Sequence, residues 1–333
     1  HDFKIFQQLF TYDFSELERA LGINCFSLIS NYQAVVKQER RYNKNISEKV
    51  QALSTALKGA ADADEFFACV TKFYHDYGVG KLGLNKAFRI AQAEQGEPEL
   101  VPISNTEHIS FDELIGYEDQ KQRLLENTEA FVNGKEANNV LLFGDAGTGK
   151  SSSVKAVLNE YYSRGLRMIE VYKHQFKDLS DVLEQIKDRN YKFIIYMDDL
   201  SFEDYELEYK YLKAILEGGL GKRPDNVLIY ATSNRRHLIK ETLSDRSGDD
   251  IHEADTRQEL MSLSARFGLT VTFQRPEKAR FENILAELAK QHGIDMPMDQ
   301  LLVKAEAFAI RAGGRSPRVA KQFIEQCEAG VQK

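Results

Sequence analysis

Short apolar runs recur through the middle of the chain, and segments with helical periodicity lie between most of them. The runs occupy residues 140–143, 168–172, 193–197, 227–231 and 269–273. Near-continuous apolar runs that alternate with helices are typical of a parallel sheet that is covered on both faces. The pattern therefore predicts a doubly wound α/β domain.

The segments on both sides of this α/β region have a helical pattern. Residues 1–94 carry apolar side chains at helical spacing, whereas residues 95–105 contain two prolines and a glycine and have no helical period. Beyond residue 275, helices are predicted over residues 279–292, 298–311 and 317–328. The predicted parts of the chain are an N-terminal helical domain over 1–94, a linker over 95–105, an α/β domain over 106–275 and a C-terminal helical domain over 276–333.

The composition is ordinary for a globular protein and limits the function only weakly. The chain has 333 residues, of which 42% are hydrophobic and 29% are charged, and its net charge is −7. This negative balance gives no overall basic field that would attract nucleic acid. The three cysteines are far apart and form no disulfide or zinc pattern. Since no apolar run approaches the ~18 residues of a membrane span and the N-terminus has no signal-peptide pattern, we expect a cytoplasmic protein without a membrane partner.

A glycine-rich loop directly follows the first apolar run. Its sequence, GDAGTGKS over residues 144–151, precedes a helix-permissive segment. Backbone N–H groups of such a loop turn towards a triphosphate, and the positive end of the following helix adds its partial charge. Lys150 reaches the β- and γ-phosphates, and the Ser151 hydroxyl ligates Mg²⁺. The predicted phosphate-binding residues are Gly144, Asp145, Ala146, Gly147, Thr148, Gly149, Lys150, Ser151 and Ser152; a glycine-rich turn that binds nothing is the disfavoured alternative.

Two carboxylates stand at the end of the third apolar run. Asp198 and Asp199 directly follow residues 193–197, so a buried strand presents them at its carboxyl end, where ligands bind in open α/β sheets. We expect Asp198 to hold Mg²⁺, through water, and Asp199 to polarise the attacking water. The alternative, a strand that merely ends in a polar turn, is disfavoured because the pair follows the glycine-rich loop by about fifty residues.

Asn234 and Arg266 are weaker candidates at the ends of two further segments. Asn234 follows the run at 227–231 and is placed to orient the attacking water beside Asp199; a plain polar turn is the alternative. Arg266 precedes the last run, and arginine suits transition-state phosphate because it is always ionised and forked. A surface ion pair is an equally good interpretation of Arg266.

These elements, in this order, resemble the AAA+ ATPases over residues 106–330. The resemblance implies that Ile115, Gly116 and Tyr117 contact adenine, that residues 144–151 are the Walker A loop, and that Asp198 and Asp199 form Walker B. It further implies that Asn234 is sensor 1, that Arg266 completes a neighbouring subunit's site, and that the C-terminal helices form a lid. In the lid, residues 313–318 look like sensor 2, with Arg318 reaching the γ-phosphate and Arg315 as the second choice. More narrowly, residues 197–202, 231–238 and 262–268 resemble a bacterial AAA+ family catalogued only as a domain of unknown function.

Two departures from the AAA+ pattern bear on the expected function. Asp199 stands where the family usually has Glu, so hydrolysis is expected to be slower. Residues 172–176 lack the aromatic-apolar-Gly loop of protein-threading unfoldases, which disfavours that activity. The resemblance implies an oligomeric ATPase, a ring or open spiral, that uses ATP and Mg²⁺ to act on an unidentified protein client. The alternatives are a slowly hydrolysing, ATP-dependent binding module and, less favoured, a nucleic-acid loader or motor.

Overall fold

The computed structural model of the protein describes residues 2–26, 44–78, 80–93, 96–104, 106–202, 207–217, 224–234 and 265–330. Contacts divide the chain into two units. The first consists of His1–Lys86 and Pro102–Thr106, and the second of Ala87–Val101 and Glu107–Lys333.

The described residues of the first unit up to residue 86 are mostly helical. Its helices are α1 (Asp2–Thr11), α2 (Ser15–Leu21), α3 (Lys44–Gly59), α4 (Ala63–Tyr77) and α5 (Gly80–Leu84). Helix α4 begins after Asp62, whose carboxylate accepts hydrogen bonds from the N–H groups of Asp64 and Glu65 and so caps the helix. Leu57, Ala60 and Phe66 form a small buried core.

The second unit is built on a seven-stranded sheet with the order β2-β1-β4-β5-β6-β3-β7. The strands are β1 (Ala87–Gln92), β2 (Pro98–Pro102), β3 (Val140–Gly144), β4 (Leu166–Glu170), β5 (Lys192–Met197), β6 (Val227–Ser233) and β7 (Leu269–Phe273). Neighbours from β1 to β7 pair in parallel. Strands β3 to β7 coincide with the five apolar runs, so the predicted doubly wound α/β fold is confirmed.

Strands β1 and β2 correct the sequence analysis. Residues 87–92 were expected to be helical, and residues 98–102 were expected to lie in a linker, yet both segments are strands of the sheet. In β1, buried Phe88 and Ile90 alternate with exposed Arg89, which is the two-residue period of a strand with one covered face. The remaining predicted domain boundaries stay a prediction.

Helices connect the strands and follow the last of them. They are α6 (Glu118–Val132), α7 (Lys150–Tyr161), α8 (Leu179–Ile186), α9 (Leu207–Glu217), α10 (Lys278–Gln291), α11 (Met298–Arg311) and α12 (Pro317–Glu328), with short 3₁₀ turns at Phe111–Glu113, Tyr162–Arg164 and Lys173–Asp178. Helices α10 to α12 match the three predicted C-terminal helices and enclose their own apolar core, which includes Phe281, Leu301 and Ile324. None of the helices in the described parts of the chain is long and apolar enough to cross a membrane.

Candidate nucleotide site

The glycine-rich loop lies between β3 and α7, at the carboxyl end of the sheet. Gly144 has φ +138°, and a Cβ there would lie 1.9 Å from the Phe273 carbonyl oxygen, so only glycine fits where the loop leaves β3. The N–H of Asp145 donates to the same carbonyl at 2.9 Å. These contacts anchor the loop to the neighbouring strand β7 and leave its later residues to face outward.

A cavity of about 510 Å³ opens in front of the loop, a volume typical of small-molecule sites. Its polar end is formed by the loop and by the ends of β5 and β6, and its apolar end by residues such as Leu114, Ile284 and Leu288. Fourteen of the predicted site residues line it: Ile115, Gly116, Tyr117, Ala146, Gly147, Thr148, Gly149, Lys150, Ser151, Ser152, Asp198, Asp199, Asn234 and Arg318. Gly144, Asp145 and Arg266 do not line this cavity.

Lys150 is buried at the polar end of the cavity, with 6% of its surface exposed. Its Nζ donates to the carbonyls of Gly144 and Asp145, at 2.9 and 2.7 Å, and to Oδ1 of Asn234 at 2.9 Å. Burial lowers the pKa of Lys150, and the nearby carboxylates of Asp199, Asp145 and Asp198 oppose that shift. The ammonium group is therefore held by acceptors that phosphate oxygens can replace.

Asp198 accepts two hydroxyl hydrogen bonds at the end of β5. Ser151 donates to its Oδ1 at 2.7 Å and Thr232 at 2.5 Å. Partial desolvation opposes ionisation, but the hydrogen bonds from Thr232 and Ser151 outweigh it and lower the pKa of Asp198. Sequence analysis did not assign Thr232, although its hydroxyl at the end of an apolar strand was a usable signal.

This oxygen-donor set fits Mg²⁺. Within the described residues, no group of three or more His, Cys, Asp or Glu side chains is arranged to hold a metal ion. Mg²⁺ in nucleotide sites needs less than that, because one or two carboxylates act together with water and the substrate phosphates. The Ser151 hydroxyl and the Asp198 carboxylate supply hard oxygen ligands beside the loop.

Asp199 and Asn234 meet at the same edge. Asp199 adopts a left-handed backbone with φ +49°, a conformation that Asp and Asn adopt more readily than most residues other than glycine. Its N–H donates to Oγ1 of Thr232 at 2.9 Å, and its Oδ1 accepts from Nδ2 of Asn234 at 2.6 Å. Because Asn234 also accepts from Lys150, one amide side chain links the lysine to the carboxylate.

The predicted adenine-contact segment lines the apolar end of the cavity. Tyr117 is buried, with φ +61°, and its hydroxyl donates to the Gln274 carbonyl at 2.6 Å. Its ring stacks on Phe273 at 5.3 Å between centroids, and burial raises the pKa of Tyr117 to about 12. Gly116 faces Ile284 of α10, since a Cβ on Gly116 would lie 3.5 Å from that side chain. The segment is thus fixed by β7 on one side and α10 on the other.

The C-terminal helices contact the loop through the start of α12 and through Arg275. The N–H of Arg318 donates to the Gly147 carbonyl at 3.2 Å. Arg275, which sequence analysis missed, donates from its N–H to Oδ2 of Asp145 at 2.8 Å and from Nη1 to the Gly313 carbonyl at 3.0 Å. Arg315, the second choice for the lid arginine, pairs with Glu306 instead of lining the cavity.

Arg266 lies outside this cavity and forms an ion pair with Glu217 of α9. Residues 262–264 of the segment that precedes it, and residues 235–238 of the segment that follows Asn234, lie outside the described residues. The expected role of Arg266 in a neighbouring subunit's site stays a prediction.

Comparisons with known proteins give one family model and a set of solved structures, and the family model agrees with the predicted resemblance to a domain of unknown function. A family model described as "Protein of unknown function (DUF815)" matches residues 84–331. No curated protein matches the chain. Among solved structures, Thermotoga maritima RuvB, described as a Holliday junction branch migration motor, is 17% identical with a TM-score of 0.45, and the match covers 66% of this chain and 64% of RuvB. The FIGL-1 AAA domain in complex with ADP is 18% identical with a TM-score of 0.45, covering 68% of this chain and 74% of that one.

Proposed function

Because the chain belongs to the DUF815 family and gathers a glycine-rich loop, a buried lysine and two strand-end aspartates around one cavity, we propose that it is an AAA+ ATPase. It binds ATP with Mg²⁺ and hydrolyses ATP to drive a conformational change. The observation that carries the proposal is the hydrogen bond from Lys150 to Asn234. It joins the phosphate loop to the end of β6, where Asn234 also donates to Asp199.

The polar end of the cavity binds the triphosphate. Backbone N–H groups of residues 146–151 and the positive end of α7 face the phosphates, and Lys150 exchanges carbonyl acceptors for β- and γ-phosphate oxygens. Ser151 and Asp198 hold Mg²⁺, with Thr232 keeping the carboxylate in place through its hydroxyl. When bound, Mg²⁺ neutralises charge on the phosphate oxygens.

Asp199 and Asn234 act on the attacking water. Asp199 accepts the water's proton on a carboxylate oxygen, and Asn234 fixes the carboxylate through its amide N–H. Because Asp is one methylene shorter than the Glu usual in the resembling family, we expect turnover to be slow, since a displacement of about 1 Å costs on the order of 10²-fold in rate.

The apolar end of the cavity binds the base. Ile115, Gly116, Ile284 and Leu288 line this end. Arg318 enters the cavity from the start of α12 and reaches the γ-phosphate. The C-terminal helices thereby contact both ends of the nucleotide, which gives hydrolysis a route to a conformational change.

The working form is an oligomer in which Arg266 completes the site of the neighbouring subunit. Its position outside the cavity of its own chain supports action on another chain. The ion pair with Glu217 is the arrangement from which Arg266 moves to the neighbour. We expect a protein client and no membrane partner; nucleic acid is not favoured, because the net charge is −7.

A second candidate function is an ATP-dependent binding module that hydrolyses rarely. The contact that favours it is the 2.6 Å hydrogen bond from Asn234 to Asp199, which occupies one of the two oxygens that would accept the water's proton. In that case the protein holds ATP as a switch and keeps its client bound.

The experiment that tests the proposal is the steady-state ATPase rate per subunit, measured against protein concentration for wild type and Arg266→Ala. We expect the wild-type rate to rise with concentration and the variant to lose about 10³-fold or more. Glu217→Gln is the matched control, because it removes the same ion pair and keeps the arginine; its activity is expected to persist.

The other outcomes discriminate between the candidates. Tight ATP binding with background turnover favours the binding module, and a substantial rate that is independent of concentration shows that Arg266 has another role. Stimulation by DNA that weakens with added salt favours the nucleic-acid motor. Failure of the wild type to bind ATP rejects the proposal.

A further inference from the structure

Two buried tyrosines lie side by side in the centre of the sheet. Tyr196 of β5 and Tyr230 of β6 are partners in the parallel register. Their exposed fractions are 3% and 0%. Facing residues on adjacent strands share one side of the sheet, so the two phenol groups have comparable positions and differ in what surrounds their hydroxyls.

The hydroxyl of Tyr230 has hydrogen-bond partners. It lies 2.8 Å from Oγ1 of Thr128 and accepts from Nδ2 of Asn127 at 3.1 Å, both on α6. The hydroxyl of Tyr196 is equally buried, yet among the described residues it has no hydrogen-bond partner. A buried polar group without a partner is costly, and phenylalanine would fill the same space without that cost.

The position of Tyr196 indicates what its hydroxyl serves. Tyr196 lies near the end of β5, and Asp198 directly follows the strand two residues later, so the two side chains point to the same face. A phenol keeps its proton at neutral pH, so Tyr196 is a donor on the same face as the carboxylate that already accepts from Ser151 and Thr232.

Carboxylates that bind a metal are themselves held by hydrogen bonds from behind. We propose that Tyr196 is a positioning residue for Mg²⁺: its hydroxyl donates to Asp198 and orients that carboxylate when the metal binds. This inference rests on the proposed function, because the cation arrives with the nucleotide. Ser151 and Thr232 hold one oxygen of Asp198 from the loop and from β6, and Tyr196 is the additional donor from β5 itself.

The test compares Tyr196→Phe with Tyr230→Phe in the full chain. A fluorescent ATP analogue reports binding while MgCl₂ is titrated, and the same binding is measured in EDTA together with the thermal midpoint. For Tyr196→Phe we expect the Mg²⁺ concentration at half-saturation to rise about tenfold. Its analogue affinity and thermal midpoint in EDTA are expected to equal or exceed those of wild type, because no satisfied hydrogen bond is lost.

Tyr230→Phe is expected to behave in the opposite way. It removes a buried hydroxyl that is hydrogen-bonded and leaves Thr128 and Asn127 without that partner. The thermal midpoint is therefore expected to fall, while the Mg²⁺ half-saturation point is unchanged. A shared loss of midpoint and of EDTA binding in Tyr196→Phe would assign Tyr196 a merely structural role.

Two further results overturn the inference. An unchanged Mg²⁺ half-saturation point in Tyr196→Phe rejects the positioning role while leaving the ATPase proposal intact. Wild-type protein that binds no analogue, with or without Mg²⁺, rejects the proposed function and this inference together.

Discussion

Lys150 and Arg167 are buried cations at opposite ends of the strands in the same sheet. Lys150 follows the carboxyl end of β3, whereas Arg167 lies at the amino end of β4 and is 1% exposed. Burial lowers the pKa of both side chains. By burial and pKa alone the two residues are alike, so the difference in their roles depends on the groups around them.

Arg167 is enclosed by aromatic rings and backbone carbonyls of the fold itself. Its guanidinium stacks over the rings of Tyr162 and Tyr191, at 4.4 and 4.5 Å from the centroids. It also donates to the carbonyls of Tyr162 and Leu166 at 3.1 and 2.7 Å. These cation–π and backbone contacts lie at the amino end of the strands, and they stabilise the fold.

Lys150, in contrast, is held by groups that line a cavity or border it. Asn234, one of its acceptors, also contacts Asp199, and the surrounding carboxylates favour the charged form. A buried cation therefore indicates a binding site when its partners are exchangeable and face an opening. Where the partners are aromatic rings and enclosed carbonyls, it indicates a structural element.

Replacing Lys150 is expected to have the largest effect. Lys150→Met keeps the length of the side chain and removes the charge, so we expect the ATPase rate to fall by about 10²–10³-fold, the usual cost of losing one transition-state donor. The thermal midpoint is expected to change little, because the acceptors that Lys150 leaves border the cavity, where water can replace the ammonium group. Steady-state ATPase and thermal unfolding measure the two effects. A lowered midpoint would show that Lys150 is a structural cation like Arg167.

Replacing Arg167 is expected to give the reverse result. Arg167→Lys keeps the charge and loses the planar group that stacks between the tyrosines, so the free energy of unfolding is expected to fall by about 2 kcal/mol. ATP-analogue affinity is expected to stay at the wild-type value. Urea denaturation and fluorescence binding test this, and Arg167→Met separates the charge from the planar shape. A changed affinity with unchanged stability would contradict the structural role of Arg167.

The smallest effect concerns an exposed cation, Arg164, near Arg167 in the sequence. Arg164 forms two hydrogen bonds with Glu129, at 2.6 and 2.8 Å. Hydrogen bonds from Arg164 and Asn133 lower the pKa of Glu129 from 4.5 to about 2. The folded carboxylate thus binds protons less tightly than the unfolded one, and its contribution is present above pH 4.5 and lost as the pH falls towards 2.

Glu129→Gln tests this contribution. Since the pair is exposed and screened by solvent, we expect a slightly lower thermal midpoint than wild type at neutral pH. The difference is expected to shrink as the pH falls from 4.5 to 2. A difference that stays constant over this range would mean that the ion pair does not cause it.

The sequence predicted the centre of the sheet and missed its edge. Strands β3 to β7 are nearly continuous apolar runs because both faces are covered. Such runs can be recognised in the sequence without knowing which strand they pair with. Strand β1 has only the short alternation of Phe88, Arg89 and Ile90, which a helical neighbourhood hides. Its assignment depends on pairing with β4, more than seventy residues away in the chain.

The same distinction applies to the candidate site. Lys150, Ser151, Asp198 and Asp199 lie in consecutive motifs and were therefore predicted, and they line the cavity. Thr232 and Arg275 were missed because their roles come from contacts between distant segments. Arg275 meets Asp145 across 130 residues, and no local pattern marks Arg275.

The attachment of the C-terminal helices to the loop has a mechanical consequence. Arg318 and Arg275 connect the start of α12 and the turn before it to Gly147 and Asp145, so the loop provides a fulcrum near the start of α12. Helix α12 has 12 residues and is about 18 Å long. A rotation of about 10° around the fulcrum displaces its far end by about 3 Å, given that length. In such a rotation, the residues near Glu328 would move farthest.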